Sequence, residues 1–460
     1  MNDRRAERAA QQRCRGIQRA AGTMEAVDFF NVLTGGELLE TTEAYLPEHR
    51  ERLYPPTVTL SMFMTQALNE DGSCQKAVNG WAARRALEGF GAQSVGTGGY
   101  CRARQRLPIE MVAMLARQAG WLLSQQGASG WAWRGRAVKL VDGTGLSMPD
   151  TPENQARYPQ PSSQAEGVGF PQARLVAVIC LATGAVLDAA TSAYAGKGNS
   201  ELGMLRNLEA AFSAGDVILA DAFYCSYFLI ATQQAANVDV LFEQNSARIT
   251  DFRRGQSLGP RDHLVRWIKP RQRPNWMTKE QYAGFPEQLT VRELKVGGRI
   301  LVTTMLNPRQ VPKRALNELY QRRWNVELDL RNIKTTLGME VLSCQTPQMN
   351  EKEIWVYLLA YNLIRSLMAQ AALQAGVHPR HLSFKHTVQI WIEWNSRTRV
   401  LPHHHATMLR LIAQLRVGNR PGRIEPRARK RRPKSYPWLK MPRTQARLQI
   451  RKYGRLLDAA

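Results

Sequence analysis

The spacing of hydrophobic and polar residues changes twice along the chain, from a helical pattern to a strand pattern and back to a helical one. Between residues 25 and 130 apolar residues recur at helical intervals, as in VTLSMFMTQAL (58–68) and PIEMVAMLARQAGWLLSQQ (108–126), which predicts a helical domain. From residue 137 short β-branched runs predict strands instead. The segment MNEKEIWVYLLAYNLIRSLMAQAAL (349–373) is again helical, and we expect it to pack in the core.

The strand-forming region predicts one mixed sheet. Strands are expected at 137–141, 173–181, 185–194, 216–220 and 238–242, with helices at 200–212 and 226–236. The order β-β-β-α-β-α-β is that of an RNase H-like core, in which the first and fourth strands are neighbours. Asp142 follows the first strand, in the turn-like sequence DGTG, and Asp221 follows the fourth. We therefore expect their carboxylates at adjacent strand ends.

Residues 246–308 are predicted to form a β-rich insertion between this core and the next helix. Gly297 and Gly298 separate LTVRELKV from RILVTTML, which is a strong signal for a two-residue hairpin. The segment DHLVRWIKP (262–270) contains Trp267. A buried core ring is the commoner outcome for such a tryptophan, and stacking on an unstacked DNA base is the functional alternative.

The segment from Pro312 to Gly338, PKRALNELYQRRWNVELDLRNIKTTLG, is predicted to be one helix. Four polar residues share one face within roughly 60° of arc: Tyr320, Arg323, Glu327 and Lys334. Four apolar residues form an adjoining stripe that we expect to be buried: Leu319, Val326, Leu330 and Ile333. Charge alone would also suit a solvated face with i,i+4 ion pairs.

The composition indicates a polyanionic partner. The formal net charge is +25 and the pI is about 10.3, which favours nucleic acid over a membrane surface. The longest apolar run, IWVYLLAY (354–361), is far shorter than the ~20 residues of a membrane span. The cysteines form no C-x-x-C pair, as is typical of reduced thiols in a cytosolic protein. Residues 1–24 are predicted to be a disordered basic leader.

The spacing Tyr-x2-Arg-x3-Glu-x6-Lys from Tyr320 to Lys334 resembles the signature of a family of bacterial insertion-sequence DDE transposases. The segments DGSCQKAV, YCRARQRLP and AYNLIR are also similar to family segments, whereas Ala222 stands where many relatives have Arg. The resemblance implies three domains after the leader. They are a helical DNA-binding domain (25–130), an RNase H-like catalytic domain (131–375) and a helical, basic C-terminal region (376–460).

The family resemblance also implies a chemistry. The protein would bind terminal inverted repeats, cut the DNA at the element ends and transfer the 3′-OH ends to target DNA. Three carboxylates would be catalytic and would hold two Mg²⁺ ions, with Mn²⁺ as a substitute: Asp142, Asp221 and Glu327. Four residues would contact DNA phosphates: Tyr320, Arg323, Arg331 and Lys334.

The resemblance further implies a homodimer that pairs two element ends. It implies no membrane partner, and a place in the bacterial cytoplasm on nucleoid or plasmid DNA. Glu201 is a secondary candidate beside the site because GKGNSE resembles a family segment, although a solvated loop acid is the default.

Two other functions stay open. A catalytically inactive DNA-binding protein derived from a transposase would be expected to lack a carboxylate, and all three are present. An RNase H-like structure-specific nuclease would cut branched DNA without strand transfer, and the Tyr-Arg-Glu-Lys spacing argues against it.

Overall fold

The computed structural model describes residues 53–87, 89–91, 93–125, 129–194, 196, 198–395, 402–418 and 439–457. The predicted basic leader lies outside these residues. The first four described helices are α1 (Pro56–Leu68), α2 (Cys74–Leu87), α3 (Gly98–Arg106) and α4 (Ile109–Gln125). Ten more follow: α5 (Pro152–Arg157), α6 (Glu201–Leu205), α7 (Tyr227–Ala235), α8 (Lys279–Gly284), α9 (Lys313–Gln321), α10 (Asn325–Arg331), α11 (Pro347–Gln374), α12 (Phe384–Asn395), α13 (Pro402–Gln414) and α14 (Arg443–Tyr453).

The described strands form one mixed sheet. They are β1 (Val138–Ser147), β2 (Gln172–Cys180), β3 (Val186–Ala193), β4 (Val217–Ala220), β5 (Asp239–Glu243), β6 (Gln256–Gly259), β7 (Asp262–Ile268), β8 (Gln288–Val296) and β9 (Arg299–Thr303). Their order is β3-β2-β1-β4-β5-β9-β8-β7-β6. β1, β4 and β5 are parallel, while β1, β2 and β3 pair in antiparallel fashion. This topology confirms the predicted α/β class with an RNase H-like mixed sheet.

The insertion continues the same sheet. β9 pairs with β5 in antiparallel fashion, and β8, β7 and β6 follow outward from it. Gly297 and Gly298 join β8 to β9 with φ angles of 53° and 82°. Two successive positive φ angles define the hairpin turn that twists with the strands, which is why glycine occupies both positions.

The predicted helix from Pro312 to Gly338 is one helical run that changes pitch. A 3₁₀ turn (Arg322–Trp324) separates α9 from α10, and a π turn (Asn332–Thr336) follows α10. Gly338 then ends the run with a φ of 89°. The predicted apolar stripe is buried as expected, from Leu319 to Ile333. Tyr320, however, is only 4% exposed, so it does not share the solvated face.

α11 is the central helix of the core. Its side chains pack against α4, α1 and α13. By length and composition α11 is the one described helix that meets the criteria for a membrane span, but 83% of its apolar window is buried inside the protein. This burial agrees with the core role predicted for the segment.

A buried ion network fixes α10 in place. Asp329 is 0% exposed and accepts a hydrogen bond from Arg365 of α11. Arg380 donates to both carboxylate oxygens of Asp329, from Nη1 at 3.1 Å and from Nη2 at 2.8 Å. The Nη2 group of Arg380 also donates to the carbonyl of Cys180, at the end of β2, at 3.1 Å. The network therefore joins α10 to α11 and to the sheet.

We expect Asp329→Ala to lower the free energy of unfolding by about 3–5 kcal/mol, because the substitution leaves two buried guanidinium groups without their carboxylate. Urea denaturation measures the change. Glu318→Ala is the matched control, because Glu318 makes an exposed ion pair with Arg314 at 2.7 Å on α9. Its unfolding midpoint should barely move. Equal shifts in the two variants would show that the buried network has no special role.

Candidate active site

The register of β1 and β4 brings two carboxylates together. Leu140 pairs with Leu219 in this parallel ladder, and Asp142 and Asp221 each lie two residues further along. Because side chains alternate between the faces of a sheet, both aspartates point to the same face as the two leucines. That face is covered by the helical run of residues 313–336, here called the signature helix, since its segment α10 packs against β1.

Asp142 lies in an environment that disfavours its charge. Burial raises the pKa of Asp142 to about 6, and the negative charge of Asp221 contributes to the increase. Two groups oppose this increase in the pKa. They are the Gly143 N–H, which donates to Asp142 Oδ1 at 2.8 Å, and the Arg323 guanidinium. Because the pKa is higher in the folded than in the unfolded chain, ionisation of Asp142 reduces stability as the pH rises toward 6.

Glu327 lies on α10, which packs against β1, and its carboxylate is engaged by Arg323. Arg323 Nη2 donates to Glu327 Oε1 at 2.8 Å. The Arg323 side chain is only 16% exposed, and its positive charge acts on Asp142 as well. One guanidinium therefore interacts with two of the three predicted catalytic acids.

The donor set suits a hard divalent cation in its chemistry. Carboxylate oxygens are the ligands that Mg²⁺ and Mn²⁺ prefer, and the adjacent charges of Asp142 and Asp221 call for a counter-ion. Within the described ranges, no group of three or more His, Cys, Asp and Glu side chains is arranged to hold a metal ion as the side chains stand. As the side chains stand, Glu327 is paired with Arg323.

The structure also shows the surroundings of the other residues that are predicted to contact DNA phosphates. Tyr320 donates its hydroxyl to Glu243 Oε2 at 3.0 Å, and burial raises the pKa of this phenol well above its usual value. Lys334 Nζ lies 3.7 Å from Glu340 Oε1. Arg331 is exposed on α10, and no ion pair joins it to a described carboxylate. Tyr320, Arg323 and Lys334 thus each have an internal carboxylate partner.

Trp267 is too deeply buried for a DNA base to stack on its ring. The residue is 3% exposed, its indole N–H donates to Glu293 Oε1 at 2.7 Å, and Arg248 covers its ring at 3.7 Å. Every second residue of β7 points into the core, and Trp267 is one of them. The structure therefore supports the buried alternative for this side chain.

The sequence analysis did not predict that β1 continues beyond Asp142 or that Glu201 lies against it. β1 does not end at Asp142 but continues to Ser147, with Gly143 paired to Val176 of β2. A Cβ on Gly143 would lie 2.3 Å from Cδ of Glu201, so only glycine leaves room for this carboxylate. Glu201 lies on the opposite face of the strand from Asp142. The glycine directly after Asp142 was the signal, since glycine inside a strand often marks a close approach.

Glu201 links the two strands that carry the aspartates. The buried Tyr224, three residues after Asp221, donates its hydroxyl to Glu201 Oε2 at 3.1 Å. Arg174 of β2 lies 3.9 Å from Glu201 Oε1. Glu201 thereby connects β1, at Gly143, to the turn that follows Asp221.

We expect Tyr224→Phe to lower the free energy of unfolding by about 1–2 kcal/mol, because Glu201 loses a hydrogen bond in a half-buried position. Urea denaturation tests this. The matched control is Tyr194→Phe, since Tyr194 is 42% exposed and its ring lies over the same Arg174. A loss of stability as large in the control as in Tyr224→Phe would contradict the link.

Comparison with known proteins identifies similar sequences and a similar structure. Residues 133–363, which include Asp142, Asp221 and Glu327, match the family model described as the Transposase DDE domain. The chain is 29% identical over 352 residues to transposase InsG for insertion sequence element IS4 of Escherichia coli (strain K12), covering 73% of this chain and 77% of that protein. A cryo-EM structure of the piggyBac transposase synaptic complex with hairpin DNA matches with a TM-score of 0.43 and 10% identity, covering 86% of each chain.

Proposed function

This chain belongs to the DDE transposase family, and we propose that it binds the terminal inverted repeats of an insertion sequence, cleaves the DNA at the element ends and transfers the 3′-OH ends to target DNA. One observation carries the proposal. Asp142 and Asp221 lie on one face of adjacent parallel strands, beneath the helix that presents Arg323 and Glu327.

The three carboxylates divide into a fixed pair and a mobile third member. Asp142 and Asp221 are held by the sheet and by N–H donors, from Gly143 at 2.8 Å and from Phe223 at 2.9 Å. Glu327 is held by a side chain alone. When bound to these carboxylates, two Mg²⁺ ions, or Mn²⁺ in their place, would activate the attacking oxygen and stabilise the leaving oxygen.

Arg323 would change partners when DNA enters. A guanidinium binds phosphate in the same bidentate way as it binds carboxylate. A backbone phosphate that takes Arg323 would release Glu327 toward Asp142 and Asp221. Lys334 can exchange Glu340 for a phosphate in the same way, since their 3.7 Å contact is long. Tyr320 reaches a phosphate only by leaving Glu243.

The wider assembly is proposed by analogy with the family. A homodimer would pair the two element ends, with double-stranded DNA of the ends and of the target as partners. Residues 25–130 would help to bind the ends, residues 131–375 would carry the chemistry, and residues 376–460 would form the basic C-terminal region. The protein would act in the bacterial cytoplasm on nucleoid or plasmid DNA.

In a cleavage assay, we expect wild-type protein with Mg²⁺ to cut a labelled duplex that carries the element end. Each of Asp142→Asn, Asp221→Asn and Glu327→Gln should abolish cleavage and leave DNA binding intact, because each removes a charged metal ligand while keeping the size of the side chain. Gel analysis of the products and a binding titration measure the two properties.

The control in this assay is Glu318→Gln, which changes an exposed acid on the adjoining helix α9 and should cut normally. Binding of the end without cleavage, with either Mg²⁺ or Mn²⁺, would favour an inactive DNA-binding protein. Cleavage of branched DNA without strand transfer would favour a structure-specific nuclease.

Metal binding should depend on pH in a defined direction. Burial raises the pKa of Asp142 to about 6, and a proton on this carboxylate competes with the cation. We therefore expect the affinity of DNA-free protein for Mn²⁺ to rise about tenfold per pH unit up to pH 6 and to level off above it. Calorimetric titration measures this without any activity. Affinity that is constant across this range, or an unchanged pH dependence in Asp142→Asn, would contradict the assignment.

A further inference from the structure

The last described helix, α14, is strongly basic and carries no counter-charge of its own. The helix itself, RTQARLQIRKY (Arg443–Tyr453), contains four Lys and Arg residues and no Asp or Glu. Among the described residues, no carboxylate makes an ion pair with any cation of α14. The helix therefore presents positive charge that the described fold does not neutralise.

Three arginines form a row along α14. Arg443, Arg447 and Arg451 are four residues apart, so they lie about 40° apart around the helix and about 6 Å apart along its axis. All three are exposed, whereas Ala446 faces the protein at 5% exposure. A DNA strand carries one phosphate per ~3.4 Å of its axis, so a row about 12 Å long spans three to four phosphates.

This row is unfavourable for an isolated helix. Like charges four residues apart repel each other. The first turn of α14 contains Arg443 and no acidic residue, although the helix dipole favours anions at that end. A polyanion that binds along the row would relieve both effects.

The start of α14 lies near the catalytic end of the sheet. Pro442, just before the helix, packs on Gly167, where a Cβ would lie 2.9 Å from Pro442 Cγ. Gly167 belongs to the segment that leaves β1 beyond Asp142 and returns as β2. α14 therefore begins against the connection that leaves β1 at the strand end beyond Asp142.

The apolar residues of α14 do not suit a membrane surface. Leu448 and Ile450 are 62% and 48% exposed, but they lie about 160° apart around the helix. An interfacial helix needs its apolar side chains on one continuous face. Charge complementarity thus identifies a nucleic-acid backbone as the partner that fits.

We propose that the Arg443–Arg447–Arg451 row of α14 binds the phosphate backbone of the DNA duplex beside the active site. The proposal rests on the proposed function for the identity of its partner. The contact is independent of the carboxylates, because it involves phosphates away from the scissile bond. It is also independent of sequence, because phosphate contacts position a duplex without reading its bases.

The test uses the full-length protein with Arg443, Arg447 and Arg451 all changed to Gln, and a matched variant with the same three changed to Lys. Fluorescence anisotropy with a labelled random-sequence duplex measures affinity over a range of KCl concentrations. Three lost phosphate contacts should make the slope of log K against log salt shallower by about 2.7. The Lys variant should keep most of the wild-type slope, since it keeps the charge.

An unchanged slope in the Gln variant, with an unchanged circular dichroism spectrum, would overturn the proposal. So would binding of wild-type protein to phosphatidylserine vesicles that the Gln variant loses while its DNA slope stays the same. Cleavage of the element-end duplex in parallel separates the two hypotheses. If wild type cuts and the slope is unchanged, only the role of α14 fails; if wild type neither binds nor cuts DNA, the proposed function itself fails.

Discussion

The position of the signature helix depends on the buried pairing of Asp329 with Arg365 and Arg380. A carboxylate at 0% exposure is stable only when its charge and its lone pairs are satisfied. Here the two guanidinium groups come from α11 and from the segment after it, and one of them also binds the end of β2. A helix held by directional charged bonds has less freedom to slide than one held by apolar contacts. This constraint also sets the position of Glu327, which lies half a turn before Asp329 on the same helix.

Within the candidate site the charges balance internally. Arg323 pairs with Glu327, Lys334 lies near Glu340, and Tyr320 donates to Glu243. In a DNA transposase this arrangement has a thermodynamic consequence. In the proposed mechanism, a phosphate that draws Arg323 away would raise the negative charge around Asp142 and so raise the affinity for a cation, and by linkage a bound cation would raise the affinity for the phosphate. DNA and metal would then assemble the site together.

The sequence predicted the strands from local apolar patterns, and it predicted the neighbouring aspartates because the order of the elements is that of an RNase H-like core. It missed features that depend on contacts distant in the chain. DGTG looks like a turn, yet β1 continues through it because Gly143 to Ser147 pair with β2. Tyr320 looks solvated on an ideal wheel, but a 3₁₀ turn follows it and Glu243 binds it. The predicted 200–212 helix changes to 3₁₀ after Leu205, which no local signal indicated.

The insertion has a structural role that its position in the chain does not suggest. Arg292 of β8 donates to the carbonyl of Val311 at 2.7 Å, and Lys313 donates to that of Pro260 at 2.8 Å, so the start of α9 is attached to the insertion. The Asp329 network attaches the other end of the same helical run to the core. Because the run is anchored at both ends, a change of partner at Arg323 can proceed by rotation of side chains without movement of the helix. The insertion would then serve the chemistry by holding the backbone still, even though its Trp267 is buried and reaches no DNA base.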